Sequence, residues 1–435
     1  MSTTILALNW RHLGWMPVVL DSTGTVLREA LLYAVHWKRK GSSFTTLYRQ
    51  ALAISRMADF WHHYHEEVGD EDLLPAYFEA LTHGDEQLGW RGVNPTTAAQ
   101  YLKYLNGFFD WWALERNRPS PNPLQEEHVG WVSVLAEQHR QYGTKLLAHL
   151  FPATPEGQGW CKSRKVQPDR ESRRNARSNG RPKAMDLLDY MKLVKYEQDP
   201  RNRALWLVLG AGGRRISEAL HIFVPHDIGL HPRTGEARVR IADPRYGKIE
   251  VEEDGKTRHI TRQEYLRKYH RMKPRVLERP GSGVQAGWKG IREEDSVAKS
   301  KELVWMAPKF GELMWQTHKE YMKVREQTGA EHPFYFVNTK RNEGAPLTIS
   351  NAKGLLRAAC KRLGITSRSN LHSLRHVFGN FLACELQIKE HLITLAFGHR
   401  SLASAAVYTV PTQEQLRKAI AEAQEQRKAI REIKD

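Results

Sequence analysis

Two histidines, two arginines and a late tyrosine stand in an order that suits one reaction, the attack of a phenolic oxygen on a phosphodiester. His372 and Arg375 lie three apart in L-H-S-L-R-H (371–376), a spacing that puts both on one face of a helix. His399 follows in F-G-H-R-S-L, and Tyr408 comes nine residues after it. Far upstream, Arg215 sits in G-G-R-R-I-S-E (212–218), with Arg214 beside it and Glu218 three residues on. Guanidinium forks hold non-bridging phosphate oxygens bidentately, imidazoles manage protons, and a deprotonated phenol is a nucleophile. Taken singly, each box is ordinary. R-R-I-S-E reads as a helix end with solvated arginines, H-S-L-R-H as a helix with structural hydrogen bonds, and the tyrosine of A-V-Y-T as core or surface. The joint order carries the reading, with apolar helix residues such as Leu374, Phe378, Phe381 and Leu382 around the second box.

The elements that must position these residues follow from periodicity. Residues 1–40 open with an apolar, tryptophan-containing stretch, and V-V-L-D-S-T-G-T-V (18–26) predicts a hairpin turning at Ser22-Thr23-Gly24. Leu47, Ala51, Ile54 and Met57 recur at helical steps between Ser43 and His65. Asn94-Pro95-Thr96-Thr97 marks a helix start, and the aromatic face that follows is stopped by P-S-P-N-P at 119–123. Beyond a basic stretch, a second domain begins near Ala184. Its helices are predicted through Leu187–Met191 and Ala204–Leu209, with a strand at 237–242 (A-R-V-R-I-A) and another in K-E-L-V-W-M-A-P at 301–308. Helices resume at 310–327, 349–363, 371–385, 388–396 and 401–408. Residues 243–296 are polar and unusually long for a strand connection. The expected class is mainly α with a small β-sheet (α+β) in two domains. The expected divisions are an N-terminal extension (1–40), a helical domain (41–125), a connecting segment with a basic linker (126–184), a second domain (185–412, with its insertion at about 243–296) and a helical tail (413–435).

Bulk properties narrow the partners. The chain has 435 residues and a formal charge of +17, an excess that favours a polyanion. Residues 161–184 carry nine Lys or Arg against one Asp and one Glu. They read either as a solvated linker or as a strap on nucleic-acid phosphates, with Arg173, Arg174 and Arg177 as its contacts. Cys161, Cys360 and Cys384 form no close pair and no metal spacing, so a disulfide framework is not expected. H-H-Y-H-E-E (62–67) puts only His62 and His65 on one helical face, and it reads as a solvated helix surface rather than a metal site. No cofactor or metal is expected. No apolar run is long enough to span a bilayer, and no signal-peptide pattern opens the chain, so a cytoplasmic, nucleoid-associated protein without membrane contact is expected.

The order and spacing of these boxes resemble the tyrosine recombinase (phage integrase) family, over roughly residues 43–415. The resemblance makes Arg215 the first family arginine, because Ile216-Ser217-Glu218 follow it, and Glu218 the supporting acid. His372 and Arg375 become the H-x-x-R box, His399 the third position and Tyr408 the nucleophile. It makes the helical region ending in P-N-P a core-binding domain that clamps DNA opposite the catalytic domain. It also implies a catalytic lysine on a β-hairpin shortly before a strand that ends in an apolar residue and proline. Lys299 fits that place best, with Lys301 close by, Lys289 (A-G-W-K-G) the main rival and Lys248 a weaker one. The implied activity is site-specific recombination or integration through a 3′-phosphotyrosyl link, in a branch associated with mobile elements, without a metal or ATP. The implied partners are double-stranded DNA, a homotetramer on paired sites, and other recombinases or accessory proteins. Two alternatives stay open: a type IB topoisomerase-like enzyme, which shares the tyrosine chemistry, and a non-catalytic DNA-binding regulator on the same fold.

Overall fold

The computed structural model describes residues 2–69, 71–130, 158–166, 184–367 and 369–398. The chain divides into two compact units, Met1–Asn179 and Gly180–Asp435. The expected class, mainly helical with small antiparallel sheets, is the class observed.

The first unit is built on four helices, α1 (Arg28–Arg39), α2 (Phe44–Tyr64), α3 (Leu73–His83) and α4 (Pro95–Arg116). Both predicted helix starts hold, for the reasons the residues suggest. Ser43 accepts from the Thr46 N–H at 3.2 Å, and Asn94 accepts from the Thr97 N–H at 2.8 Å with Pro95 in the first turn. Asn117 ends α4 in a left-handed conformation just before the proline-rich stop. Tyr33, Phe60, Tyr77, Leu102, Leu105 and Phe109 form the core between the helices. The N-terminus differs from expectation. Its main hairpin lies earlier, with β1 (Thr4–Trp10) antiparallel to β2 (Gly14–Leu20), and the predicted turn near Gly24 survives as a Leu20–Val26 bridge leading into α1. Two residues each form β3 (Gly84–Asp85) and β4 (Trp90–Arg91). A further hairpin pairs β5 (Leu124–Gly130) with β6 (Gln158–Arg164), so the first residues of the basic stretch are strand. Arg164 bonds Asp110 at 2.5 Å and the Asn122 carbonyl at 2.6 Å, which commits it to the first unit.

In the second unit, α5 (Leu187–Tyr196) is capped by Asp186 and α6 (Pro200–Trp206) by Asp199. A π-turn (Leu207–Ala211) continues α6 into Gly212-Gly213, and Arg215 is then the N-cap of the short α7 (Ile216–Ala219). The sheet has the order β11-β8-β7, all antiparallel, with β7 at Ile228–Leu230, β8 at Ala237–Ala242 and β11 at Ser300–Glu302. The strand expected at 301–308 is thus far shorter. One bond continues the ladder past it, from the Leu303 N–H to Val239 of β8 (2.8 Å), before the Met306 N–H turns to Ala211 (2.8 Å); the Trp305 indole donates to Ala237 (2.8 Å). Helices α9 (Pro308–Gln327), α10 (Ile349–Arg362), α11 (Leu371–Asn380) and α12 (Glu390–Phe397) complete the unit. A π-turn at Phe381–Glu385 separates the last two.

The long connection is structured. It contains the β9 (Lys248–Glu253) and β10 (Lys256–Thr261) hairpin and the helix α8 (Arg262–His270). Ile249 and Leu266 pack with Phe223 and Phe334 in a small core. The fully buried Arg262 pairs with Asp227, which Arg240 also reaches at 3.1 Å. Buried Arg275 donates to the carbonyls of Val284, Leu220 and Leu347 at 2.8, 3.2 and 2.8 Å. Local periodicity misses this anchoring because arginines, not an apolar stripe, do it.

Candidate active site

Sequence separates the first arginine box from the second by more than 150 residues, and the fold joins them through one carboxylate. Glu218 is buried, and its two oxygens face different arginines. One accepts from Arg215 NH1 at 2.5 Å, and the other accepts the Arg215 N–H at 3.0 Å and lies 3.7 Å from Arg375 NH1. Burial alone pushes the Glu218 carboxyl upward, but the charges of Arg375, Arg214 and Arg215 outweigh it, and the net displacement is downward. Glu218 is therefore ionised, and it holds two guanidinium groups that would otherwise repel one another.

The two glycines before the box make this approach feasible. Gly213 has a left-handed φ of +62°, and its carbonyl accepts from Arg375 NH1 at 2.5 Å. Arg375, 1% exposed, also lies over the Phe397 ring at 4.4 Å. Asn370 starts α11 by accepting the N–H groups of His372 and Ser373 at 2.9 and 2.8 Å, and its own N–H donates in return to the Ser373 hydroxyl at 3.0 Å. That cap sets His372 on the first turn of α11, one turn from Arg375. Burial, Arg375, Arg215 and Lys289 all lower the His372 pKa, so the ring is neutral at neutral pH. His376 packs edge-on against it at 4.3 Å.

Arg215, Glu218, His372 and Arg375 are thus brought together. Arg215 keeps about a quarter of its side chain exposed, whereas its neighbour Arg214 is wholly buried. The lysines separate by environment. Lys299 has a left-handed backbone (φ +51°) in the turn before β11 and pairs with Glu293 at 3.3 Å. Lys301 is buried in β11 and paired with Glu294. Lys248 opens β9. Lys289 is exposed in the loop before β11, and its charge acts on His372. His399, Tyr408, Arg173, Arg174 and Arg177 lie outside the described residues. Arg214 is the residue that sequence reasoning passed over, because nothing in R-R-I-S-E tells which arginine turns inward. Elsewhere, His63 bonds Gln87 at 2.6 Å and His65 bonds the Trp61 carbonyl at 2.9 Å, so these two histidines face different partners. No helix of the described residues is long and apolar enough to cross a membrane.

Residues 283–415 match the Phage integrase family. Tyrosine recombinase XerC of Oceanobacillus iheyensis is 29% identical over 115 residues, which is 25% of this chain and 35% of that protein. Its counterpart in Staphylococcus saprophyticus is 29% identical over 113 residues, 25% of this chain and 36% of that one. The chain therefore aligns with about a third of the length of these relatives. A XerH site-specific recombinase bound to a palindromic difH substrate has a similar fold, with a TM-score of 0.50 at 15% identity, covering 90% of this chain and 84% of the other. The matched span holds His372 and Arg375, while Arg215 and Glu218 precede it and join it only in space. Over residues 283–415 the chain is similar to the phage integrase family, and its fold is similar to that of a site-specific recombinase.

Proposed function

We propose that this protein is a site-specific DNA recombinase or integrase that cuts and rejoins strands through a 3′-phosphotyrosyl intermediate. The observation that carries this reading is the Arg215–Glu218–Arg375 cluster with neutral His372 beside it. Two guanidinium groups held by one buried carboxylate form a preorganised seat for a scissile phosphate, and such preorganisation is worth several kcal/mol in a transition state. Tyr408 attacks phosphorus, and neutral His372 accepts the phenolic proton. Free tyrosine has a pKa of about 10, so the nearby positive charge is needed to favour the phenolate. His399 hydrogen-bonds the phosphate, and a lysine protonates the departing 5′-oxygen. Attack by another strand's 5′-hydroxyl reverses the step and releases the tyrosine. The partners in this reading are double-stranded DNA and three further copies on paired sites, in the cytoplasm, with Arg173, Arg174 and Arg177 on DNA phosphates.

The test is trapping on a nicked suicide substrate carrying the element's own target site, resolved by denaturing electrophoresis. The wild-type chain should form a covalent adduct, and Tyr408→Phe should form none while binding the same DNA. An adduct in the Phe variant would show that another residue is the nucleophile.

A further inference from the structure

Arg214 and Arg215 are adjacent, yet they differ in burial and in hydrogen-bond partners. Arg215 faces the phosphate seat, and Arg214 is 0% exposed. Enclosing a guanidinium is costly, and an apolar side chain would fill the same space at lower cost unless the charge has a task. Its contacts say what the task is. Nε donates to the Gly212 carbonyl at 2.9 Å, inside its own turn, and NH2 donates to the Ala396 carbonyl at 2.5 Å. Ala396 lies in the last turn of α12, where carbonyls lack helical partners and the dipole favours a cation.

Gly398 then ends α12 with a left-handed φ of +65°, and His399 is the next residue. Three elements close on Gly398. Its carbonyl accepts the Arg292 N–H at 2.9 Å, and a Cβ placed on it would lie 3.3 Å from Lys301 Cδ and 3.6 Å from Arg214 NH1. Lys301 is itself paired with Glu294, whose charge also acts on Arg214. The same glycine turn holds Arg375 through the Gly213 carbonyl. One short turn therefore holds α11 by a carbonyl and α12 by a guanidinium.

We propose that Arg214 is a positioning residue that aligns the end of α12, and with it His399, to the Arg215–Glu218–Arg375 seat. The inference rests on the function proposed above. Arg214 touches no substrate; it acts through the peptide that leads into His399. Its loss displaces that peptide, and a misplacement on the order of 1 Å slows chemistry by about 100-fold.

A double-mutant cycle tests this, read as the single-turnover rate of adduct formation on the suicide substrate. Arg214→Met should slow the rate by about 30- to 100-fold with DNA affinity unchanged, and Arg214→Lys, which keeps one donor for Ala396, should recover part of it. In a His399→Ala background the Arg214→Met penalty should vanish, because the residue being positioned is gone. A purely structural Arg214 predicts the same penalty in both backgrounds, and that result overturns the proposal. Gly398→Ala, which strains the junction from the other side, should be non-additive with Arg214→Met. Arg214→Lys carries both cycles if the methionine variant fails to fold, and additive rates in this second cycle overturn the proposal as well. A wild-type chain that forms no adduct refutes the proposed function itself. A wild-type adduct with additive variants refutes only the role of Arg214.

Discussion

Substituting alanine for Gly213 should damage both the stability of the second unit and the chemistry of the site, for reasons that can be worked from its surroundings. Gly213 has a φ of +62°, where a Cβ costs roughly 1–2 kcal/mol. That Cβ would stand 2.5 Å from Phe378 Cδ1 and 2.7 Å from Cγ. Phe378 is 0% exposed and lies edge-on to Phe397 at 5.1 Å, so the ring has no free space to enter. Overpacking of this kind adds about 1–3 kcal/mol, and the sum is roughly 2–5 kcal/mol. For a unit of this size that lowers the melting temperature by on the order of 10 °C. Moving the turn also moves the carbonyl that holds Arg375, so adduct formation should slow by about 100-fold below the melting range. Gly229→Ala is the control, since nothing lies within 4 Å of a Cβ there. Differential scanning calorimetry and suicide-substrate trapping on both variants decide the matter. If Gly213→Ala melts and reacts as Gly229→Ala does, the turn does not join the two arginine boxes.

Two further outcomes follow from charge. Lys289 helps depress the His372 pKa, so Lys289→Ala should raise it and move the acid limb of the cleavage pH profile upward, toward the free-imidazole range. The same variant and Lys299→Ala should be compared on DNA whose 5′-bridging oxygen is sulfur; the variant rescued by the thiolate leaving group identifies the general acid, and an unmoved acid limb argues against Lys289 at the site. His221, fully buried against Trp288 and near Arg275 and Arg262, has its pKa pushed down from 6.5 to about 3 by burial first and then by those charges. Between these values the unfolded chain binds a proton that the folded chain does not, so stability falls with falling pH, by about 2 kcal/mol between pH 6.5 and pH 5. His221→Phe should flatten that slope in urea titrations, and an unchanged slope would place the titration elsewhere.

Much of the site was legible because its parts are local. The H-x-x-R spacing on a capped helix and the R-I-S-E turn each declare themselves within a few residues, and Glu218 stands three residues from Arg215, which it bonds. Capped helices such as those starting after Ser43 and Asn94 were legible for the same reason. What could not be read depends on contacts distant in sequence. The inward turn of Arg214 requires the end of α12, which lies 182 residues away. The early end of β11 goes with the Met306 N–H turning away from β8 to the Ala211 carbonyl. The β1–β2 pairing went unread because a loop of three residues after Trp10 carries no strong turn signal, whereas D-S-T-G-T does. The fold of residues 243–296 is hidden for a different reason. Its solvent-facing composition resembles a linker, and its anchors are arginines that meet partners in the rest of the unit.

That last arrangement bears on how residues 243–296 could be removed or transplanted. Asp227 lies just before β7 and Arg262 lies within residues 243–296; each is enclosed, and each neutralises the other. Excising residues 243–296 would leave Asp227 with Arg240 as its remaining cation and remove the buried half of its pairing. Grafting the same stretch onto a relative with an apolar residue at the position of Asp227 would strand Arg262 instead. The segment is therefore not interchangeable cargo on a loop. The stretch and the rest of the unit are interlocked halves, and a chimera that carries one half across must carry its counterion too.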